Sequence, residues 1–170
     1  MLGFLFRGLT AEPGRGASLF ESITEAARRP HWYVEGQIPD TFDGRFALLS
    51  TITALAIVRV EREGRAGDRV SVALTERFIE VMESEHRELG LGDPTLGRTV
   101  RKLVSLLARK VDLWRKATQG EADWFAASRE SLYKSELEPD ALRRSAEALK
   151  QLWSELSKTG LNELEQGKIE

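Results

Sequence analysis

Apolar residues return every three or four positions along most of this chain, which is the spacing of helices and not of strands. Leu19, Ile23 and Ala26 mark the first such face, opened by Ser18 with Glu21 three residues later in a capping-box pattern and stopped by Pro30. His31, Trp32 and Tyr33 lead into a turn at Gly36 to Pro39, after which Asp40 is placed to cap a second helix running to about Glu63. Phe46, Leu49, Ile52, Ala56 and Val60 line one side of it, and Leu48, Leu55 and Ile57 make it apolar nearly all round. Such a helix belongs at the centre of a bundle. Residues 51–60 are rich in β-branched side chains, but the uninterrupted run is longer than an ordinary strand, so helix is expected there too.

Gly64 and Gly67 break the chain, and Asp68 is placed to cap a third helix with Val70, Leu74, Phe78, Val81, Met82 and Leu89 on its apolar face. This helix carries an acidic excess at Glu76, Glu80, Glu83 and Glu88. A loop from Gly90 to Gly97, containing Pro94, precedes a fourth helix with apolar positions Leu96, Val100, Leu103, Leu107, Val111 and Trp114, ended by Gly120. A fifth is expected from about Glu121 to Lys134, and Pro139-Asp140 opens a sixth that ends near Gly160. The expected fold is an all-α, single-domain bundle of about six helices over residues 17–160. Residues 1–16 read as a flexible leader because of Gly3, Gly8, Pro13, Gly14 and Gly16, and residues 161–170 read as a polar tail.

Composition narrows the chemistry. With 41% apolar residues in 170, the chain can bury one sizeable core. It has no cysteine, which removes disulfides, thiolate metal sites and cysteine nucleophiles together, and its two histidines, His31 and His86, are too few for a histidine-rich metal site. His31 beside Trp32 and Tyr33 reads as a packed loop residue before it reads as a haem ligand. A net charge of -2 argues against a general nucleic-acid binder, and no DNA partner is expected. The longest uncharged apolar run, Phe46 to Val58, is 13 residues, short of the roughly 20 that a spanning helix needs. Met1 to Leu9 lacks the charged leader and core of a signal peptide, so a cytoplasmic protein is expected, at most peripheral at the inner membrane.

Charged motifs leave fewer options than their number suggests. Gly92 to Thr99 has the glycine spacing of a phosphate-binding loop, but Arg98 stands where the lysine should be and a helix precedes it, so nucleotide hydrolysis is set aside. Asp40, Asp43 and Arg45 around the start of the second helix read first as cap, dipole partner and ion pair, and second as an exposed patch for a partner. Glu83 with His86 makes at most a weak metal pair, and a solvated helix face explains both. Along the fourth helix, Arg98, Lys102, Arg109 and Lys116 fall on the side opposite the apolar positions, and from Arg98 to Lys116 there are seven basic residues against one acid, Asp112. Two readings stay open for this stripe: an anionic partner, or pairing with the acidic third helix and solvent. No serine or threonine stands with a histidine at a spacing that signals a nucleophile and its base.

The segment Ile38-Pro39-Asp40-Thr41-Phe42-Asp43-Gly44-Arg45-Phe46, followed after a long helix by Gly90-Leu91-Gly92-Asp93-Pro94-Thr95-Leu96-Gly97 and Val100-Arg101-Lys102-Leu103, resembles the ubiquinol-cytochrome c chaperone family. With the similar segment Leu19 to Tyr33, the resemblance covers roughly residues 17–118, and residues 121–170 are expected to be a lineage-specific extension. The chain departs from the family at Ile52 and at Ala108-Arg109-Lys110, where members carry a histidine and an aromatic-glycine-arginine element. The resemblance implies an assembly factor of respiratory complex III, with no catalytic residues, metal or cofactor. Its client would be cytochrome b, held while haem is inserted, and the ribosome or an anionic membrane surface would be a further partner. Asp40, Asp43, Arg45, Phe46, Gly92, Asp93, Gly97, Arg98, Arg101, Lys102 and Arg109 are the partner-binding residues it points to. The alternative is a helical adaptor at the membrane surface that binds anionic lipid through the basic stripe and the apolar leader residues Leu2, Phe4, Leu5, Phe6 and Leu9.

Overall fold

A computed structural model describes residues 16–88, 90 and 93–169, with side chains for all of these except 93–96. The leader expected at residues 1–16 therefore lies, but for Gly16, outside the described residues. The chain folds as an all-helical bundle, with no strand among the described residues. Its elements are α1 (Ala17–Ala27), α2 (His31–Val34), α3 (Phe42–Glu61), α4 (Arg65–Glu88), α5 (Asp93–Thr118), α6 (Trp124–Leu132), α7 (Pro139–Lys158) and α8 (Leu161–Glu165).

Helix α3 is the axis of the bundle, packed against α1, α4, α5, α6 and α7. Leu48, Ile52, Leu55 and Val60 are fully buried, as its all-round apolar pattern demands. Three polar residues share that burial, and each satisfies its hydroxyl within the helix. Ser50, Thr51 and Thr53 donate to the carbonyls of Phe46 (2.7 Å), Ala47 (2.7 Å) and Leu49 (2.8 Å). Arg59, also buried, ties the far end of α3 to the end of α7 by donating to Leu156 O (2.9 Å) and Thr159 O (2.8 Å), with Glu63 as its counter-ion at 2.8 Å.

Helix boundaries correct several expectations. Gly16 occupies the cap position of α1 with no side-chain bond, so Ser18 lies inside the helix and the Ser18-Glu21 capping box does not form. Thr41, not Asp40, caps α3, its hydroxyl accepting from Gly44 N at 3.2 Å, because Asp40 is taken by Arg45. Asp68 stands in the first turn of α4 as a dipole partner, since the helix already begins at Arg65. Helix α6 is shorter than expected, starting at Trp124 where Asp123 accepts from Ala126 N at 2.8 Å. Residues 161–170 are not simply a polar tail: they contain α8, whose Leu164 is fully buried, and Ser22 of α1 donates to Gly167 O at 2.6 Å.

One glycine fixes the entry to α3. A Cβ on Gly44 would overlap Pro39 O, so only glycine lets the turn before α3 lie flat on its first turn.

Candidate functional site

The turn that folds back onto Gly44 opens a groove at the start of α3. It has a volume of about 820 Å³ and lies between the end of α1, α2, the start of α3 and the last third of α4. Phe46, Leu49, Val81 and Met82 give it an apolar floor. Phe46 reaches into the core, its ring 6.0 Å from that of Phe78. Two large apolar side chains at the mouth stay in water: Val34 is 74% exposed and Phe42 41%. Phe42 is held by an edge-on contact with His86 at 5.5 Å, and the His86 ring is itself anchored by Nδ1 donating to Met82 O at 2.6 Å.

Charged residues rim this groove. Arg45 donates through Nε to Asp40 Oδ1 at 2.6 Å, and that bond holds the Asp40 carboxyl below its usual range and the guanidinium above its own. Both groups are well exposed, so the pair orients Arg45 more than it stabilises the fold. Tyr33 donates to Ala27 O at 2.8 Å, and burial raises its phenol, against the pull of Arg45 and Arg28 and with the push of Asp40. Arg28, Asp40 and Arg45 line the same groove as Tyr33.

On the opposite side of α3 a half-buried lysine joins three helices. Lys110 donates to Ala47 O (2.8 Å), Ser131 O (2.9 Å) and Thr51 Oγ1 (3.1 Å), joining α5 to α3 and α6. Ser131 O lies in the last turn of α6, where carbonyls lack helical partners and a cation is favoured. The Ser131 hydroxyl meets Thr51 Oγ1 at 2.6 Å and accepts from Trp114 Nε1 at 3.1 Å. Burial pushes Lys110 down to about 7, and none of its hydrogen-bond partners is a carboxylate.

The expected partner residues divide between distinct surfaces. Asp40, Arg45 and Phe46 meet in the groove. Asp43 faces a second cavity of about 580 Å³ with its carboxylate 2.8 Å from Lys134. Gly92 lies outside the described residues, as does the side chain of Asp93, which begins α5. Gly97 is half-buried on α5, while Arg98, Arg101, Lys102 and Arg109 are exposed along it and line neither cavity.

The basic stripe is also thinner than the sequence suggested. Lys110 is half-buried and turned inward to the carbonyls of Ala47 and Ser131, and Arg115 is paired with Glu61 (2.9 Å) and Asp112 (2.6 Å), which leaves Arg98, Arg101, Lys102, Arg109 and Lys116 facing solvent. None of these has an ion pair with α4 among the described residues, so the stripe does not pair with the acidic helix there. Residues 93–99 are helical and follow α4, which removes the phosphate-loop reading. No three acidic or histidine side chains cluster as a metal site among the described residues. Sequence reasoning missed Tyr33, Val34, Val81 and Met82 as groove residues. It also counted Lys110 with the surface, although its place three residues after Leu107 and four before Trp114 puts it on the apolar side of α5.

The fold and this surface define a class: an all-helical bundle sealed on one flank of its central helix and grooved on the other. The chain belongs to the ubiquinol-cytochrome C chaperone family, whose model matches residues 34–170. A solved structure described as the Cbp3 homolog from Brucella abortus is similar, with 27% identity and a TM-score of 0.76, covering 99% of this chain and 95% of that one. A comparison with curated proteins finds no match. Both matches run through α6, α7 and α8, so residues 121–170 belong to the shared fold and are not an extension.

Proposed function

We propose that this chain, as a chaperone of the ubiquinol-cytochrome c family, holds cytochrome b during assembly of complex III, and that the groove between α1 and α4 is where it does so. The observation that carries the reading is the apolar mouth of that groove, where Val34 and Phe42 remain exposed at 74% and 41% beside an apolar floor, whereas the other exposed large apolar residues, Val72, Val104 and Phe125, do not line it. A newly made membrane subunit presents apolar helices that need temporary cover, and an apolar groove with a charged rim offers it. Asp40, Arg45 and Phe46 act from within the groove, and Asp43 from the adjoining cavity. Nothing in this role calls for catalysis: a chaperone acts by binding.

The test is photocrosslinking from positions 34 and 42 in cells making cytochrome b, with a position on α7 as control. Cytochrome b crosslinked from 34 and 42 but not from α7, together with loss of complex III in the deletion strain, supports the proposal. Normal complex III without the protein would sink it.

A second reading has its own observation. Arg98, Arg101, Lys102, Arg109 and Lys116 form a solvent-facing cationic row without acidic partners among the described residues, suited to anionic lipid headgroups or to the ribosome. No helix among the described residues is long and apolar enough to cross a membrane, so lipid contact through this row would be peripheral. Flotation with vesicles containing anionic phospholipid, compared with neutral vesicles and with a variant lacking residues 1–16, separates lipid binding from client binding.

A further inference from the structure

We propose that the groove between α1 and α4 selects an apolar segment that bears an acidic side chain, and that Arg28 and Arg45, which line the groove with Tyr33, receive its carboxylate. The inference rests on the groove being the client surface and adds the chemistry that surface prefers.

Its cations are poised and only partly engaged. Arg28 ends α1 at the C-cap, exposed and without an ion pair among the described residues. Arg45 uses Nε for Asp40 at 2.6 Å, and its terminal amino groups have no partner among the described residues. Arg28, Tyr33 and Arg45 line the same groove, and the Tyr33 hydroxyl is already committed to Ala27 O. Phe46 and Leu49 belong to the apolar floor of that groove.

Charge is distributed unevenly across the opening. The side made by α1 and the start of α3 carries Arg28 and Arg45 against the single acid Asp40, which Arg45 pairs, whereas the α4 wall carries Glu85, which has no ion pair among the described residues. A wholly apolar segment would strip water from the free guanidinium N–H groups and give nothing back. A carboxylate replaces that water with charge-assisted, forked hydrogen bonds, while a basic side chain at the same spot would be repelled. A guest carrying its acid at one end is therefore favoured and oriented, with that end toward α1 and α3.

The experiment uses the full chain and two end-capped peptides built from leucine and alanine, one with a single glutamate at one end and the other with glutamine there, each carrying an uncharged dye for anisotropy. The glutamate peptide should bind roughly tenfold tighter at low salt, with the gap closing as salt rises. Arg28→Gln with Arg45→Gln should remove the preference while leaving the weaker binding of the glutamine peptide, and Phe42→Ser should weaken both peptides. Equal affinity of the two peptides overturns acid selection and leaves the client groove standing. Failure of either peptide to bind at all overturns the groove reading itself. Two further results count against a foreign guest: tighter binding once residues 1–15 are deleted, which makes them the occupant, or binding that falls as the protein dimerises, which makes the occupant a second copy.

Discussion

The two flanks of α3 are built from similar residues and finished differently. Toward α5 and α6, the hydroxyls of Thr51 and Ser131, the Trp114 indole and the Lys110 ammonium are gathered into one buried network. Toward α1 and α4, the first turns of the same helix leave Phe42 in water, Phe46 and Leu49 half-covered, and Arg45 tethered by one nitrogen. The first flank spends its polar groups on holding helices together. The second leaves apolar area and hydrogen-bonding capacity uncommitted, which is what a surface needs if its partner arrives and leaves.

That contrast predicts where substitutions hurt stability and where they hurt binding. Trp114→Ala, on the sealed flank, should cost about 3–5 kcal/mol in urea unfolding, because the ring is fully buried and packs 4.9 Å from Trp124. Gly44→Ala should cost about 1–3 kcal/mol despite adding one methyl, since the Pro39 carbonyl must move off the helix. A loss below about 0.5 kcal/mol there would show that the turn is soft and the groove entrance not fixed.

Lys110→Met tests the sealed flank through pH. Folding lowers the Lys110 value from 10.5 to about 7, so between those values the unfolded chain holds a proton that the folded chain has released. Stability from this group therefore rises as pH climbs from about 7 toward 10.5 and is lost as pH falls back through 7. Paired unfolding curves should show wild type gaining on Lys110→Met across that window, and a constant difference would mean that the ammonium stays charged throughout. Phe42→Ser should change stability by less than about 1 kcal/mol while abolishing the crosslink to the client from position 34, the reverse of Trp114→Ala. Smallest of all, Arg109→Gln should leave the unfolding midpoint unchanged within error and weaken only binding to an anionic surface.

The helices of the sealed flank were legible in the sequence but its polar network was not, and the open flank was legible only in part. Periodicity alone located α1, α3, α4, α5 and α7, because their apolar faces repeat over many turns and one buried helix is apolar all round. Short elements escaped it: α2 spans four residues and α8 five, too few for a repeat to register, and both are held by packing. The Asp40 to Phe46 segment was legible as a patch because capping chemistry crowds charged and small residues together. Its groove was not, since Arg28, Tyr33, Val81 and Met82 come from three other places in the chain and are brought together only by tertiary packing. Lys110 shows the converse error, in which counting charge along a helix ignores the side on which each charge falls.

The docking of α8 has a consequence for how the protein is made. The Ser22 hydroxyl on α1 waits for the Gly167 carbonyl, which is 145 residues later in the chain. During synthesis from the amino terminus, the α1 wall of the groove is among the first helices to emerge and among the last to be fastened. A chain interrupted before α8 would lack this fastening, so the α1 wall should receive a guest firmly only once α8 has been made.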